Sequence, residues 1–157
     1  MYVLLPAGRF VDAAFKTTAD GFEQCYASNF YGHAYLTLLL LKRIMDSQPS
    51  RIVCVISFGE LLGRLPWEDL NGQHLGTSGI RAYANSKLMF YTWMLELQMR
   101  LARTGKKVDV FGTQPGEAGS RKTLGSTVCI RQYTLRVHEG HCTASYTLWQ
   151  LRLRHWS

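Results

Sequence analysis

Apolar residues change their spacing several times along the chain, and each change marks an element. Tyr2 to Leu5 is a short apolar run closed by Pro6, Ala7 and Gly8, which predicts a strand ending in a turn. From Asp20 to about Met45, Phe22, Cys25, Tyr26, Phe30, Ala34, Leu38, Leu41 and Met45 follow helical spacing until Ser47, Pro49 and Ser50 end the run. Ile52 to Ile56 is apolar at every position, the pattern of a parallel strand covered on both faces, and Ser57 follows at its carboxyl end. Residues 58–79 hold Pro66, Asn71-Gly72 and Ser78-Gly79 and read as a long connection of the kind that often carries function. A second helix is expected from about Ile80 to Arg103, stopped by Thr104-Gly105. Val108 to Phe111 then predicts a third strand running into Thr113-Gln114-Pro115-Gly116.

Strand, helix, strand, helix, strand is the order of an α/β fold, here a partial Rossmann-like parallel sheet. Such sheets bind ligands at the carboxyl ends of their strands, where Pro6 to Gly8, Ser57 and Thr113 to Gly116 fall. Right-handed crossovers taken twice in one direction put both helices on one face and leave the other bare. Val128 to Val137 and Leu148 to Leu153 alternate apolar and polar residues on either side of Glu139-Gly140, which suggests a β-hairpin; it is expected to cover that bare face. The division is therefore residues 1–116 as the Rossmann-like domain and 117–157 as a basic C-terminal tail.

Composition narrows the class. One domain is natural for 157 residues, and 46% hydrophobic content is ample for a packed core. Of the formal charge of +7, residues 117–157 supply 6 basic against 2 acidic side chains. Cys25, Cys54, Cys129 and Cys142 show no C-x-x-C spacing, and the first two fall in apolar segments, so reduced buried thiols and a reducing compartment are expected. The opening residues lack a basic n-region, and no apolar run is long enough to cross a bilayer, which reads as a cytoplasmic protein.

The candidate chemistry sits in R-A-Y-A-N-S-K, Arg81 to Lys87. Tyr83 and Lys87 are four apart, so a helix places an ammonium beside a phenol, and a neighbouring cation favours the phenolate. Alone the pair is weak evidence, since a chain of this composition holds roughly 0.3 such pairs by chance. His138, His141 and Cys142 offer three ligands, too few for a structural zinc, so no metal is expected. His33 and Trp67 read as packing residues. The tail's Arg121, Lys122, Arg131, Arg136, Arg152 and Arg154, with Tyr133, Tyr146, Trp149 and Trp156, read as a solvated charged face in preference to a nucleic-acid surface.

Over residues 2–116 the chain resembles the short-chain dehydrogenase/reductase family, and more narrowly its retinol-dehydrogenase-like branch. The resemblance rests on Pro6-Ala7-Gly8 where the family has Asn-Ala-Gly, D-G-F-E at Asp20 to Glu23, and N-F-Y-G-H at Asn29 to His33. It rests further on R-I-V-C-V-I-S at Arg51 to Ser57, the Tyr83 and Lys87 pair, and Pro115-Gly116. It implies hydride exchange between NADP or NAD and a small-molecule carbonyl or alcohol. Tyr83 would be the general acid or base, Lys87 would hold the nicotinamide ribose, Ser57 would bond the carbonyl oxygen, and Asn29 would position a relay water. Ala7, Gly8, Pro115 and Gly116 would join Tyr83 and Lys87 against the cofactor. The family's glycine-rich T-G-x-x-x-G-x-G turn has no counterpart in these residues, and Pro6 replaces an asparagine, so activity is expected to be impaired. The alternative is a non-catalytic role through homo- or hetero-oligomer contacts of the two helices.

Overall fold

Strands form where the apolar runs predict them: β1 at Tyr2–Leu5, β2 at Ser50–Val55 and β3 at Val108–Gln114. The structure, a computed structural model, describes residues 1–6, 8–9, 15–65, 67–73 and 79–114, together with the strand paths of 127–138 and 141–152. The three strands are parallel, with Val3, Ile52 and Val110 in register and Leu5, Cys54 and Gly112 one pleat on. Between β1 and β2 the chain forms α1 (Gln24–Tyr26), a π turn (Ala27–Tyr31) and α2 (Gly32–Asp46). Between β2 and β3 it forms a 3-10 helix (Phe58–Leu62) and α3 (Gly79–Arg103). The fold is α/β, a partial Rossmann-like arrangement.

The core lies between one sheet face and the helices. Leu5, Ile52, Cys54, Ile56, Val108 and Val110 meet Ile44 of α2 and Phe90, Met94, Leu97 and Leu101 of α3. Polar ties fix the layers: Gln98 Oε1 accepts the Val110 N–H at 2.6 Å, and Ser50 Oγ donates to the Ile44 carbonyl at 2.8 Å. Gly112 leaves room for α3, since a Cβ there would stand 3.1 Å from Met94 Cε.

Four expectations change. The run at 52–56 is not covered on both sides: Ile52, Cys54 and Ile56 are buried, Arg51 is exposed, and Val53 and Val55 are half-buried. Right-handed crossovers put both helices on one side, and the opposite face carries Tyr2 and Leu4 at 75% and 62% exposure. The Arg51 guanidinium lies over the Tyr2 and Phe111 rings at 5.9 and 5.8 Å, roofing a small part of it. The hairpin does form, as β4 (Thr127–His138) and β5 (His141–Arg152), but it does not cover this face. It extends the sheet, β4 pairing antiparallel with β3 from Phe111↔Thr134 to Gln114↔Arg131, because the outer edge of β3 offers unpaired backbone groups.

The helical face also shifts. Leu38 is 54% exposed, and Thr37 takes the core position, its hydroxyl bonded to the His33 carbonyl at 2.8 Å. The cause is the π turn, which widens the helix so that buried Asn29 and Ala34 share a side at a spacing of five. His33 packs against Phe90 at 5.3 Å as expected, whereas Trp67 is 74% exposed. No described helix is long and apolar enough to cross a membrane.

The segment after the 3-10 helix is pressed against α3 at Gly63, where a Cβ would fall 2.6 Å from the Ala84 carbonyl oxygen and 2.8 Å from Leu88 Cβ. Gly63→Ala should therefore lower unfolding free energy by about 1–3 kcal/mol, and Phe90→Ala by about 3–5 kcal/mol. Urea titration followed by circular dichroism reads both. An unchanged midpoint for Gly63→Ala would mean that this loop is not held against the helix.

Candidate active site

The carboxyl ends of β1 and β2 and the amino-terminal half of α3 bring the chemistry together. Ser57 leaves β2 in extended conformation and caps the 3-10 helix, its Oγ accepting the Gly59 N–H at 3.2 Å. Tyr83 and Lys87 stand one turn apart on α3. A Cβ at Gly59 would lie 2.8 Å from Tyr83 Cε1 and 3.5 Å from Ser57 Oγ, so the hydroxyl and the phenol ring both border this glycine. Any larger residue at 59 would displace the ring.

Lys87 is 2% exposed. Its Nζ donates to the Val55 carbonyl at 3.2 Å and lies 5.8 Å from the Tyr83 ring centroid. A Cβ at Gly8 would come within 2.9 Å of the same Nζ, so the turn after β1 closes on the amine and a side chain there would push it away. Three segments thus meet at one cation.

Asn29 ties the first segment to the third. Its Oδ1 accepts the Arg9 N–H at 2.7 Å, and its Nδ2 donates to the Arg9 carbonyl at 3.1 Å and to Ser86 Oγ at 2.9 Å. Ser86 Oγ in turn donates to the Tyr83 carbonyl at 2.7 Å. Its side chain is thus committed to protein partners, and the π turn is what aims it inward. On the same layer Asn85 Nδ2 donates to the Tyr26 hydroxyl at 3.2 Å, while Asn85 Oδ1 accepts the Arg64 N–H at 2.8 Å.

Burial sets the local electrostatics. It lowers the Lys87 pKa, against the opposing influence of Cys25, Glu60 and Cys54. Burial also pushes the Cys25 and Cys54 thiols up to about 11 and about 12; both are free and buried, as expected from the sequence. Glu60, 7% exposed, is pushed up to about 7 by burial, opposed by a hydrogen bond to the Ser57 backbone and by Lys87.

Of the residues singled out in the sequence, Gly8, Asn29, Ser57, Tyr83 and Lys87 converge; Ala7, Pro115 and Gly116 lie outside the described residues. The sequence reading missed Glu60, Gly59 and Ser86. Ser57-Phe58-Gly59-Glu60 carries the S-x-x-E capping-box signature, which could have found Glu60; nothing in the sequence points to Ser86. Among the described residues no group of three His, Cys, Asp or Glu could hold a metal ion. The arrangement offers two hydroxyl donors and a buried cation at a strand-end crevice, a set suited to stabilising charge on a substrate oxygen and moving one proton. An apolar cavity of about 630 Å³, lined by Phe22, Tyr31, Tyr35 and Leu38 among others, shares none of these residues.

Glu60 makes stability depend on pH. Its folded value, about 7, lies above the ordinary 4.5, so the folded chain holds the extra proton between those values and loses stability as pH rises from about 4.5 to about 7. Glu60→Gln should abolish that loss. Urea midpoints measured across the window check it, and a wild-type profile that does not fall would show Glu60 titrating as an ordinary carboxylate.

No protein-family profile matches the chain. Among curated proteins it is 35% identical over 128 residues to retinol dehydrogenase 11 of Mus musculus, which is 82% of this chain and 40% of that one. It is 40% identical over 109 residues to retinol dehydrogenase 13 of Mus musculus (69% and 31%), and 40% over 103 residues to polyprenol dehydrogenase of the same organism (63% and 30%). Among solved structures, an uncharacterized protein from Mycobacterium paratuberculosis matches with a TM-score of 0.65 at 33% identity, covering 77% of this chain and 43% of its own. The chain spans about 40% of the length of the first curated relatives it matches.

Proposed function

We propose that the chain, which belongs to the short-chain dehydrogenase/reductase family and to its retinol-dehydrogenase-like branch, carries the proton-transfer side of an NAD(P)-dependent interconversion of a carbonyl and an alcohol. The observation that supports this most directly is the meeting of Ser57, Tyr83 and Lys87 at the carboxyl end of β2, with Gly8 closing on the lysine. In the reducing direction Tyr83 gives its proton to the substrate oxygen as negative charge develops there, and Ser57 donates a hydrogen bond to that oxygen. Lys87 keeps a positive charge beside them and offers its amine to ribose hydroxyls. Asn29 acts as a positioning residue, fixing the Arg9 turn against α3 through Ser86.

These residues fit the nicotinamide-ribose end of such a cofactor, because Gly8 lets backbone approach and the amine supplies donors. The cofactor would supply and take up the hydride. Among the described residues there is no glycine-rich turn at a helix start to cradle a pyrophosphate, so affinity should be weak. Residues 1–116 would carry this function, with 117–157 as a basic C-terminal tail. The relatives carry retinol and polyprenol in their names, which makes long-chain apolar alcohols and their aldehydes the first substrates to try.

A second reading, contact with another polypeptide through α2, draws on Tyr35, Leu38 and Leu39, which stand 66%, 54% and 63% exposed along one side of the helix. Coexpression with a full-length relative tests it by recovery of a heteromer that loses assembly on Leu39→Glu.

Fluorescence titration of the folded chain with NADPH and NADH tests the first reading. Saturable binding should weaken at least about tenfold in Lys87→Ala, whereas Tyr83→Phe should retain binding and lose turnover by about 10²–10⁴-fold. A cooperatively folded chain that binds neither dinucleotide would overturn it.

A further inference from the structure

We infer that the cleft beside α2 is a second binding site, separate from Ser57, Tyr83 and Lys87, and that it takes a long-chain alcohol. The cleft has a volume of about 630 Å³ and lies between the turn at residues 18–22 and the first turns of the helix. That volume falls within the range of about 300–1,000 Å³ in which single small molecules are held. Its lining is apolar and aromatic apart from Thr18 and Asp20.

The cleft has a polar end and an apolar end. The Phe22 and Tyr31 rings meet at 5.1 Å between centroids, and the Thr18 N–H donates to the Phe22 carbonyl at 2.7 Å, so the polar turn sits at the π turn. From there Tyr31, Tyr35 and Leu38 follow one side of the helix, a stripe of about 10 Å at 1.5 Å per residue. Ala27, Gly32 and Ala34 keep the floor low enough for an extended chain to lie on it. Leu36 and Leu39 are exposed on the same helix but are not among the walls, so the site is a groove and not the whole helix face. Three hydrogen bonds brace the turn and the π turn from behind. The Glu23 N–H donates to Asn71 Oδ1 at 2.9 Å, Asn71 Nδ2 donates to the Gly21 carbonyl at 2.9 Å, and the Tyr31 hydroxyl donates to the Leu70 carbonyl at 2.6 Å. The cleft is thus preformed, as small-molecule sites largely are.

Two short side chains choose the head group. Thr18 Oγ1 accepts the Phe22 N–H at 3.3 Å, a bond that does not use its own hydroxyl proton. The Asp20 carboxylate only accepts. A hydroxyl head meets both, accepting from Thr18 and donating to Asp20. A carboxylate head would face Asp20 as a like charge, and an ammonium would bring a full charge to a mostly apolar lining that repays its lost hydration poorly. The tail then lies along Tyr31, Tyr35 and Leu38, where each buried CH₂ adds to affinity.

The test is nuclear magnetic resonance of the full chain labelled with ¹³C in its alanine and leucine methyls, titrated with 1-octanol, octanoate and octylammonium. Octanol should shift Ala27, Ala34 and Leu38 saturably and leave Ala84, beside Tyr83, where it is. It should bind more tightly than either charged analogue. Along a series of 1-alkanols, affinity should rise with length and stop rising once the tail outgrows the cleft. Tyr35→Ala and Leu38→Glu, at exposed positions, should weaken octanol about tenfold or more. Asp20→Asn should narrow the gap between octanoate and octanol by about threefold, and Tyr83→Phe should leave octanol binding unchanged. Circular dichroism checks each variant's fold, and the alkanol series and head-group comparison on the wild type decide the matter if a variant fails it.

Shifts centred on Ala84 and lost in Tyr83→Phe would put the alcohol in the reaction crevice and overturn the second site. Tighter binding of octanoate or octylammonium would overturn the choice of an alcohol. Cleft methyls that ignore octanol, in a chain that sediments as a dimer broken by Leu38→Glu, would give the groove to a second copy and overturn the site as well. Dinucleotide titration reads the oxidoreductase reading separately, since octanol held at Ala34 requires neither Tyr83 nor Lys87.

Discussion

An ammonium group loses several kcal/mol of hydration, in order of magnitude, when it is buried, and it stays charged only if its surroundings replace the water. Lys87 places that requirement at the junction of three chain segments. The Val55 carbonyl at the end of β2 accepts from it, and the turn at Gly8 closes over it. Each partner sits at the carboxyl end of a strand or just beyond it. Holding the lysine therefore means holding the sheet, the turn after β1 and α3 in one arrangement, and the hydroxyls of Ser57 and Tyr83 are carried along with it.

The supporting layer is polar but nearly saturated. Asn29 reaches across from the π turn to Arg9 and Ser86, and Asn85 joins Tyr26 to Arg64. Amide side chains suit such bridges because each offers both donors and an acceptor without a charge to desolvate. Beneath them the apolar contacts of Phe90, Met94 and Leu97 with the sheet give α3 its angle. Packing of ordinary kind thus orients a helix whose next turns toward the amino end carry the chemistry.

Much of this was legible in the sequence. β1 occupies Tyr2–Leu5 as read from its apolar run, and α3 begins at Gly79, within a residue of the expected start. Tyr83 and Lys87 could be named from their spacing on a helix, whereas Gly8, Asn29 and Ser57 could be named because the residues around them resemble the family's motifs. The apolar run at 52–56 misled because Val53 and Val55 satisfy β propensity whether or not anything covers them. Leu38 misled because a π turn changes helical phase without any residue type that announces it. The hairpin's strands were visible in their alternation, but alternation is silent on whether a ribbon stacks on a sheet or joins its edge. Glu60 was overlooked since a glutamate in a surface-like connection is ordinarily a solvated one.

The widened turn at Ala27–Tyr31 also bears on which changes in chain length the protein can absorb. An α-helix advances 100° per residue, so a turn holding one residue too many lets both halves of a helix point their apolar sides at the same sheet while an asparagine faces inward between them. Deleting a single codon within this turn would restore a regular helix and rotate all of α2 by about 100° relative to α1. Exposed Leu38 and Leu39 would swing toward the sheet, and Ile44 would leave it. Point substitutions along α2 would be comparatively mild. In genetic terms the segment tolerates substitutions better than in-frame deletions, and a homologue shortened here by one residue would have had to rebuild its core.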